Sequence, residues 1–111
     1  MIAVIFEVTP TTAGKDSYFA IAAQLAPMLS TIDGFISVER FESLTNPGTF
    51  LSLSFWRDES AVLQWRQQLQ HQAAQQKGRN GLFANYRLRV ANVVRDYGLN
   101  ERQQAPEFIS L

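Results

Sequence analysis

Cysteine is absent from the 111 residues, which removes disulfides, thiolate metal sites and cysteine nucleophiles and fits a reducing, cytoplasmic setting. A net charge of either sign is missing too. Ten basic and ten acidic residues cancel, so bulk charge draws the chain to neither nucleic acid nor an anionic membrane. No apolar run is long enough for a membrane span, and Met1–Val8 lacks the basic segment that begins a signal peptide. Histidine occurs once, at position 71, so a metal site built from several imidazoles is not expected. Gly78 and Gly81 are too sparse, and follow a predicted helix, so they make no phosphate loop. Ser52 and Ser54 lie within a predicted strand rather than on an elbow, and Glu39 and Glu42 fall on opposite faces of theirs. Neither a serine triad nor a carboxylate pair has a setting.

What remains is a chain that is 46% hydrophobic and 12% aromatic, enough for one globular core of modest stability. Charge is unevenly spread. Residues 57–95 carry seven basic and two acidic groups, whereas residues 1–56 carry two and five. The basic segment reads as a solvated helix face and an edge strand, with an electron-rich or anionic ligand as the functional alternative.

Hydrophobic periodicity gives six elements. A strand over residues 1–9 alternates Ile2, Val4, Phe6 and Val8 against Ala3, Ile5 and Glu7. After the turn Thr9–Gly14, a helix from Lys15 carries Tyr18, Ile21, Ala22, Leu25, Met28 and Leu29 on one stripe, with Pro27 expected to kink or shorten its end. Phe35–Leu44 and Thr49–Arg57 alternate on either side of Asn46-Pro47-Gly48 and form a hairpin. Asp58 is placed to cap a second helix whose stripe is Val62, Trp65, Leu69 and Ala73, and Lys77-Gly78-Arg79 reads as its C-terminal cap. Asn80–Asn85 is a loop presenting Leu82 and Phe83, and Tyr86–Tyr97 is a last strand with Leu88 and Val90 opposite Arg87 and Arg89.

The order βαββαβ is the split arrangement of an α+β, ferredoxin-like fold: a four-stranded antiparallel sheet with two helices on one face. The domain is expected to span residues 1–98, with residues 99–111 as a tail ending in apolar Phe108–Leu111. Phe35, Phe41, Phe50, Trp56, Val93 and Ile5 are expected to share the uncovered face with Ser37, Ser52, Ser54, Glu7, Glu39 and the arginines. That face is too aromatic for water, so two copies are expected to pack sheet on sheet as a homodimer.

Chemistry is expected beside the second helix, because both tryptophans and the only histidine lie between Trp56 and His71. Trp65 sits on the apolar stripe, as a packing residue or as the wall of an aromatic ligand. His71 falls on the side opposite Val62, facing solvent unless the helix bends between Arg66 and His71. Trp56 is expected at the dimer interface.

The runs Ser37–Phe41, Pro47-Gly48, Ser52–Glu59, Trp65-Arg66, His71, Gly78-Arg79, Tyr86–Val90 and Arg95–Gly98 resemble the antibiotic biosynthesis monooxygenase (ABM) family. The resemblance implies a dimeric α+β barrel with a pocket between helices and sheet in each protomer. It implies a cofactor-free monooxygenase that oxidises a small electron-rich aromatic, a phenol or hydroquinone, with dioxygen. His71 would be the general base, Trp65 a catalytic wall, and Phe6, Phe55 and Phe83 the substrate-binding residues; no metal is implied. A related branch degrades haem with an Asn on the first strand, a Trp on the second helix and a downstream His. Here Trp65 matches, but the first strand has no Asn, and Gln75 stands where that branch has its histidine. Haem is therefore the alternative cofactor, and a non-enzymatic ligand-binding or stress-associated dimer is the alternative of another class.

Overall fold

The computed structural model describes residues 1–75 and 81–106, with the side chains of residues 70–75 outside that description. Six elements follow in the expected order: β1 (Ile2–Pro10), α1 (Lys15–Leu29), β2 (Phe35–Glu42), β3 (Phe50–Trp56), α2 (Glu59–Gln75) and β4 (Phe83–Asn92). The strands form one sheet in the order β2-β3-β1-β4, every neighbouring pair antiparallel. Among the described residues no helix is long and apolar enough to cross a membrane.

Local chemistry accounts for the helix ends. Asp58 Oδ1 accepts the Ala61 N–H at 2.9 Å, which satisfies one of the free amides in the first turn of α2. Helix α1 continues through Pro27 to Leu29 instead of stopping at the proline. The hydroxyls of Ser30 and Thr31 then donate to the carbonyls of Pro27 (3.0 Å) and Met28 (2.6 Å), and the Thr31 N–H also donates to the Met28 carbonyl at 3.2 Å, so the last turn is closed by side chains and backbone together. The expected cap Lys77-Gly78-Arg79 and the tail end Phe108–Leu111 lie outside the described residues.

Residues paired across an antiparallel ladder share a face. On β1 and β3 the pairs are Ile2 with Trp56, Val4 with Ser54, Phe6 with Ser52 and Val8 with Phe50. The faces of β3 are thus the reverse of those the strand's own composition suggests. Phe50, Ser52, Ser54 and Trp56 look toward the helices, and Leu51, Leu53 and Phe55 look away. Trp56 is buried in a cluster of Ile2, Leu29, Ile32, Ala61 and Val62, so it is a core residue of the protomer rather than an interface residue.

Two slips in the ladder correct the strict period-two reading. Between Phe35 and Ser37 the β2–β3 register shifts, leaving Ile36 without a partner and exposed. The shift sets Phe35 beside Trp56, ring centroids 5.2 Å apart at 71°, on the same face as Val38. Between Thr9 and Pro10 the β1–β4 register shifts in the same way: Thr9 pairs with Asn85 and Pro10 with Phe83, passing over Ala84. Strand β4 begins three residues earlier than its composition suggests and ends at Asn92, where the ladder with β1 closes on the bond from Val93 N–H to the Met1 carbonyl at 3.0 Å.

The face without helices carries Ile5, Leu51, Leu53, Phe55 and Phe41, with Glu7 and Arg89 bridged at 3.1 Å across β1 and β4. An apolar outer face is present as expected and keeps Ile5 and Phe41, but Leu51, Leu53 and Phe55 stand there in place of Phe35, Phe50 and Trp56, which face the helices.

Candidate functional site

The helix-side surface over β1 and β4 is where the sheet is least covered. Tyr86, Leu88 and Val90 pair with Val8, Phe6 and Val4, so all six look toward the helices. Val8 is buried and Val4 and Phe6 are half-buried, but Tyr86, Leu88 and Val90 remain 60%, 45% and 41% exposed. The result is an apolar trough along β4. The five residues from Tyr86 to Val90, four strand rises, make it about 14 Å long, room enough for a small aromatic molecule.

Aromatic rings close one end. Phe6, Phe83 and Tyr86 form a triangle with centroids 6.0 Å (Phe6–Phe83), 5.8 Å (Phe6–Tyr86) and 6.0 Å (Phe83–Tyr86) apart. Tyr18, from the first turn of α1, meets Phe83 edge-on at 5.7 Å, and Phe19 continues the chain of rings to Phe50 at 4.9 Å. These spacings and tilts are those of favourable edge-to-face contacts, so the rings support one another while presenting edges and faces to the trough.

Trp65 approaches from α2. It is half-buried and packs against the Ile2–Trp56–Val62 cluster, with Val4 packed against the same cluster and next to Phe6 on its strand face. Phe6, Phe83 and Trp65 thus lie on the helix side of the sheet, and Phe55 does not: it pairs with Ala3 and Ser37 on the outer face. A pocket on the helix side cannot be lined by Phe55 of the same protomer. Position 71 falls within α2, which is helical through Gln75; the side chain of His71 lies outside the described residues.

Tyr18, Tyr86, Leu88 and Val90 line the trough and were not singled out in the sequence. The alternation of Tyr86, Leu88 and Val90 against Arg87 and Arg89 gave their face, but nothing in one strand says that the helices stop short of it. Among the described residues no group of three or more His, Cys, Asp or Glu side chains could hold a metal ion. The helix-side residues of β1 are Ile2, Val4, Phe6 and Val8, so that strand offers no amide to the trough.

Charge chemistry is concentrated at the far end, where α2 begins. Arg57 spans Asp33 (3.2 and 3.1 Å) and Asp58 (3.0 Å). Donating hydrogen bonds to these carboxylates, Asp33 first and then Asp58, holds the guanidinium above its ordinary range. The Asp58 carboxyl is held below its own range, first by the Ala61 N–H and then by Arg57. All three groups are solvent-exposed, so they order the loop between α1 and β2 more than they stabilise the fold.

A family model described as antibiotic biosynthesis monooxygenase matches residues 1–77. A jasmonate monooxygenase of Pyricularia oryzae is 48% identical over 101 residues, 91% of this chain and 47% of that protein. The chain therefore spans about half the length of that relative. Among solved structures, one from Deinococcus radiodurans carrying the same family name superposes with a TM-score of 0.72 at 14% identity, covering 89% of this chain and 98% of that one. The heme-degrader MhuD of Mycobacterium tuberculosis, solved with two hemes in its active site, gives 0.67 at 15% identity over 88% of this chain and 100% of its own. At such identities these two structures show the fold.

Proposed function

Since the chain belongs to the antibiotic biosynthesis monooxygenase family, we propose that it oxygenates a small electron-rich aromatic, a phenol or hydroquinone, in the trough between Phe6, Phe83, Tyr86 and Trp65. The observation that carries this reading is the uncovered apolar surface of Tyr86, Leu88 and Val90 beneath a ring of aromatic side chains. Flat aromatic ligands are held by such rings through edge and face contacts.

The reaction balances without an added reductant. A phenol and dioxygen give a quinone and water: the ring carbon loses hydrogen and gains one oxygen atom, and the other oxygen leaves as water. Removing the phenolic proton makes an anion that can give an electron to dioxygen. We assign that general-base role to His71, as an imidazole suited to operation near neutrality; the role requires α2, helical through Gln75, to curve between Arg66 and His71 so that position 71 comes round from the side opposite Val62. Replacing His71 by Ala and following hydroquinone-dependent oxygen uptake tests the assignment; unchanged turnover removes His71 from the mechanism.

Haem is what the related branch binds and degrades. The fully hydrocarbon helix-side row of β1 does not supply the amide that branch places there, so no step is assigned to haem. Hemin titration with a Soret readout checks this.

A second substrate reading rests on the 48% identical relative, whose name specifies jasmonate, a carboxylate without a phenol. Hydroxylating a saturated carbon with dioxygen needs two further electrons, so this reading requires a reductant. Oxygen uptake with jasmonate plus a reductant, compared with hydroquinone alone, separates the two. Binding of either compound without oxygen uptake favours the non-enzymatic alternative.

We also assign a homodimer closed over the outer sheet face. Ile5, Leu51, Leu53, Phe55 and Phe41 lie there with both helices on the other side.

A further inference from the structure

The β4 bulge has a cause and a consequence that meet at one side chain, Thr11. Its amide donates to the Leu82 carbonyl at 2.9 Å, and its hydroxyl donates to the Gly81 carbonyl at 2.7 Å while accepting the Gly14 N–H at 2.9 Å. One threonine thus ties the β1–α1 turn to a segment 70 residues away in sequence. Gly14 lets that segment come close: a Cβ there would lie 2.7 Å from the Leu82 Cα and carbonyl oxygen. Gly81, at φ +87°, supplies the left-handed turn that starts the approach. The clamp holds residues 81 and 82 against Thr11, and Pro10, which has no amide to donate, ends β1 at the slip that follows.

The slip decides where Phe83 points. In an unbroken register Pro10 would pair with Ala84, and the alternation from Tyr86 would turn Phe83 to the outer face. With Ala84 passed over, Phe83 pairs with Pro10 and its ring meets Phe6 at 6.0 Å and Tyr18 at 5.7 Å on the helix side. Bulges of this kind re-aim side chains beside active sites.

We propose that Thr11 is a positioning residue: its hydroxyl fixes the bulge that turns Phe83 into the trough, and so sets the end wall against which a planar aromatic ligand packs. This rests on the reading that the trough holds the substrate. The test uses the whole chain and 2-naphthol as the probe, with binding read by the probe's fluorescence anisotropy. Thr11→Val keeps the shape and loses the hydroxyl, and about fivefold weaker binding is expected for one lost hydrogen bond that positions the wall. Thr11→Ser keeps the hydroxyl and should bind within twofold of the unaltered protein. Phe83→Leu should also weaken binding, and adding Thr11→Val to it should cost little more, because the clamp acts through that ring. A nuclear Overhauser contact between the Phe83 and Phe6 rings should persist in Thr11→Ser and weaken in Thr11→Val. Undiminished binding by Thr11→Val, or additive losses in the double variant, overturns the proposal alone. Failure of the unaltered protein to bind 2-naphthol overturns the ligand reading of the trough, and this proposal with it.

Discussion

The indole N–H of Trp56 donates to Ser54 Oγ at 2.9 Å, two residues back on the same helix-facing side of β3, and both side chains are buried. A small polar residue is thereby tied to the largest side chain of the core. The pairing lets a tryptophan fill the junction of Ile2, Phe35, Ala61 and Val62 without leaving its donor unsatisfied.

Ser54→Ala should therefore cost more than the loss of a hydroxyl suggests. The indole N–H would stay buried without an acceptor, a penalty of about 1–3 kcal/mol. In a Trp56→Phe background the same serine substitution should cost less, because no donor remains to be stranded. Urea unfolding of the four proteins measures the coupling, with the midpoint shifting and the slope unchanged.

Gly34 makes a second sharp prediction. Its φ is +94°, and a Cβ there would fall 2.9 Å from the Ala61 Cβ and 3.3 Å from the Arg57 Cζ. Gly34→Ala combines backbone strain with a steric clash, and a loss of about 1–3 kcal/mol is expected. Ala61→Gly alone removes a buried helical methyl and should destabilise, but in the Gly34→Ala chain it also relieves the clash, so it should lower the thermal midpoint less there than in the unaltered protein.

These contacts show what the sequence can and cannot disclose. The order of elements, the Asp58 cap and the stripe Tyr18–Ala22–Leu29 were legible because each depends on neighbours within a turn of helix. The facing of β3 was not. Its aliphatic row Leu51, Leu53 and Phe55 looks like the core side, and only the pairing of Val4 with Ser54 reveals the reverse. The bulges at Ile36 and Ala84 escape a period-two reading for the same reason: a ladder slips between strands, and a single strand carries no mark of it. Of the candidate site, Trp65 was named from its place on the second helix, and Phe6 and Phe83 only from the family resemblance; the ladder then places Phe6 and Phe83 on the helix side of the sheet. Tyr86, Leu88 and Val90 were not legible, because their openness depends on how far the helices reach across the sheet.

Acid should reveal the Asp58 charge. Its folded carboxyl is held below the ordinary range by the Ala61 amide and then by Arg57. Such a group adds stability that is fully present above its unfolded value, near pH 4, and is lost as pH falls through the lower folded value. Asp58→Asn keeps a capping oxygen and removes the charge. Its thermal midpoint should lie below that of the unaltered protein at neutral pH, and the two should converge in acid. A gap that is constant from neutral pH to strong acid would show that the charge contributes nothing.

The dimer proposal yields the last prediction, and it turns on the same reversal of β3. Phe55 pairs with Ala3 and Ser37 on the outer face, away from the helix-side cluster of Trp56 and Ile2. A charge at that position should spare the protomer's own core while desolvating a carboxylate on each side of a two-fold interface. Phe55→Asp should thus sediment as a single subunit at micromolar concentration with its circular dichroism little changed. Leu63→Asp, on the exposed side of α2, serves as the control and should leave assembly intact. A dimer that survives Phe55→Asp would place the interface elsewhere. Trp56→Phe separates this from the first reading of the strand: it removes bulk from the protomer core, so it should lower thermal stability without changing the sedimenting mass.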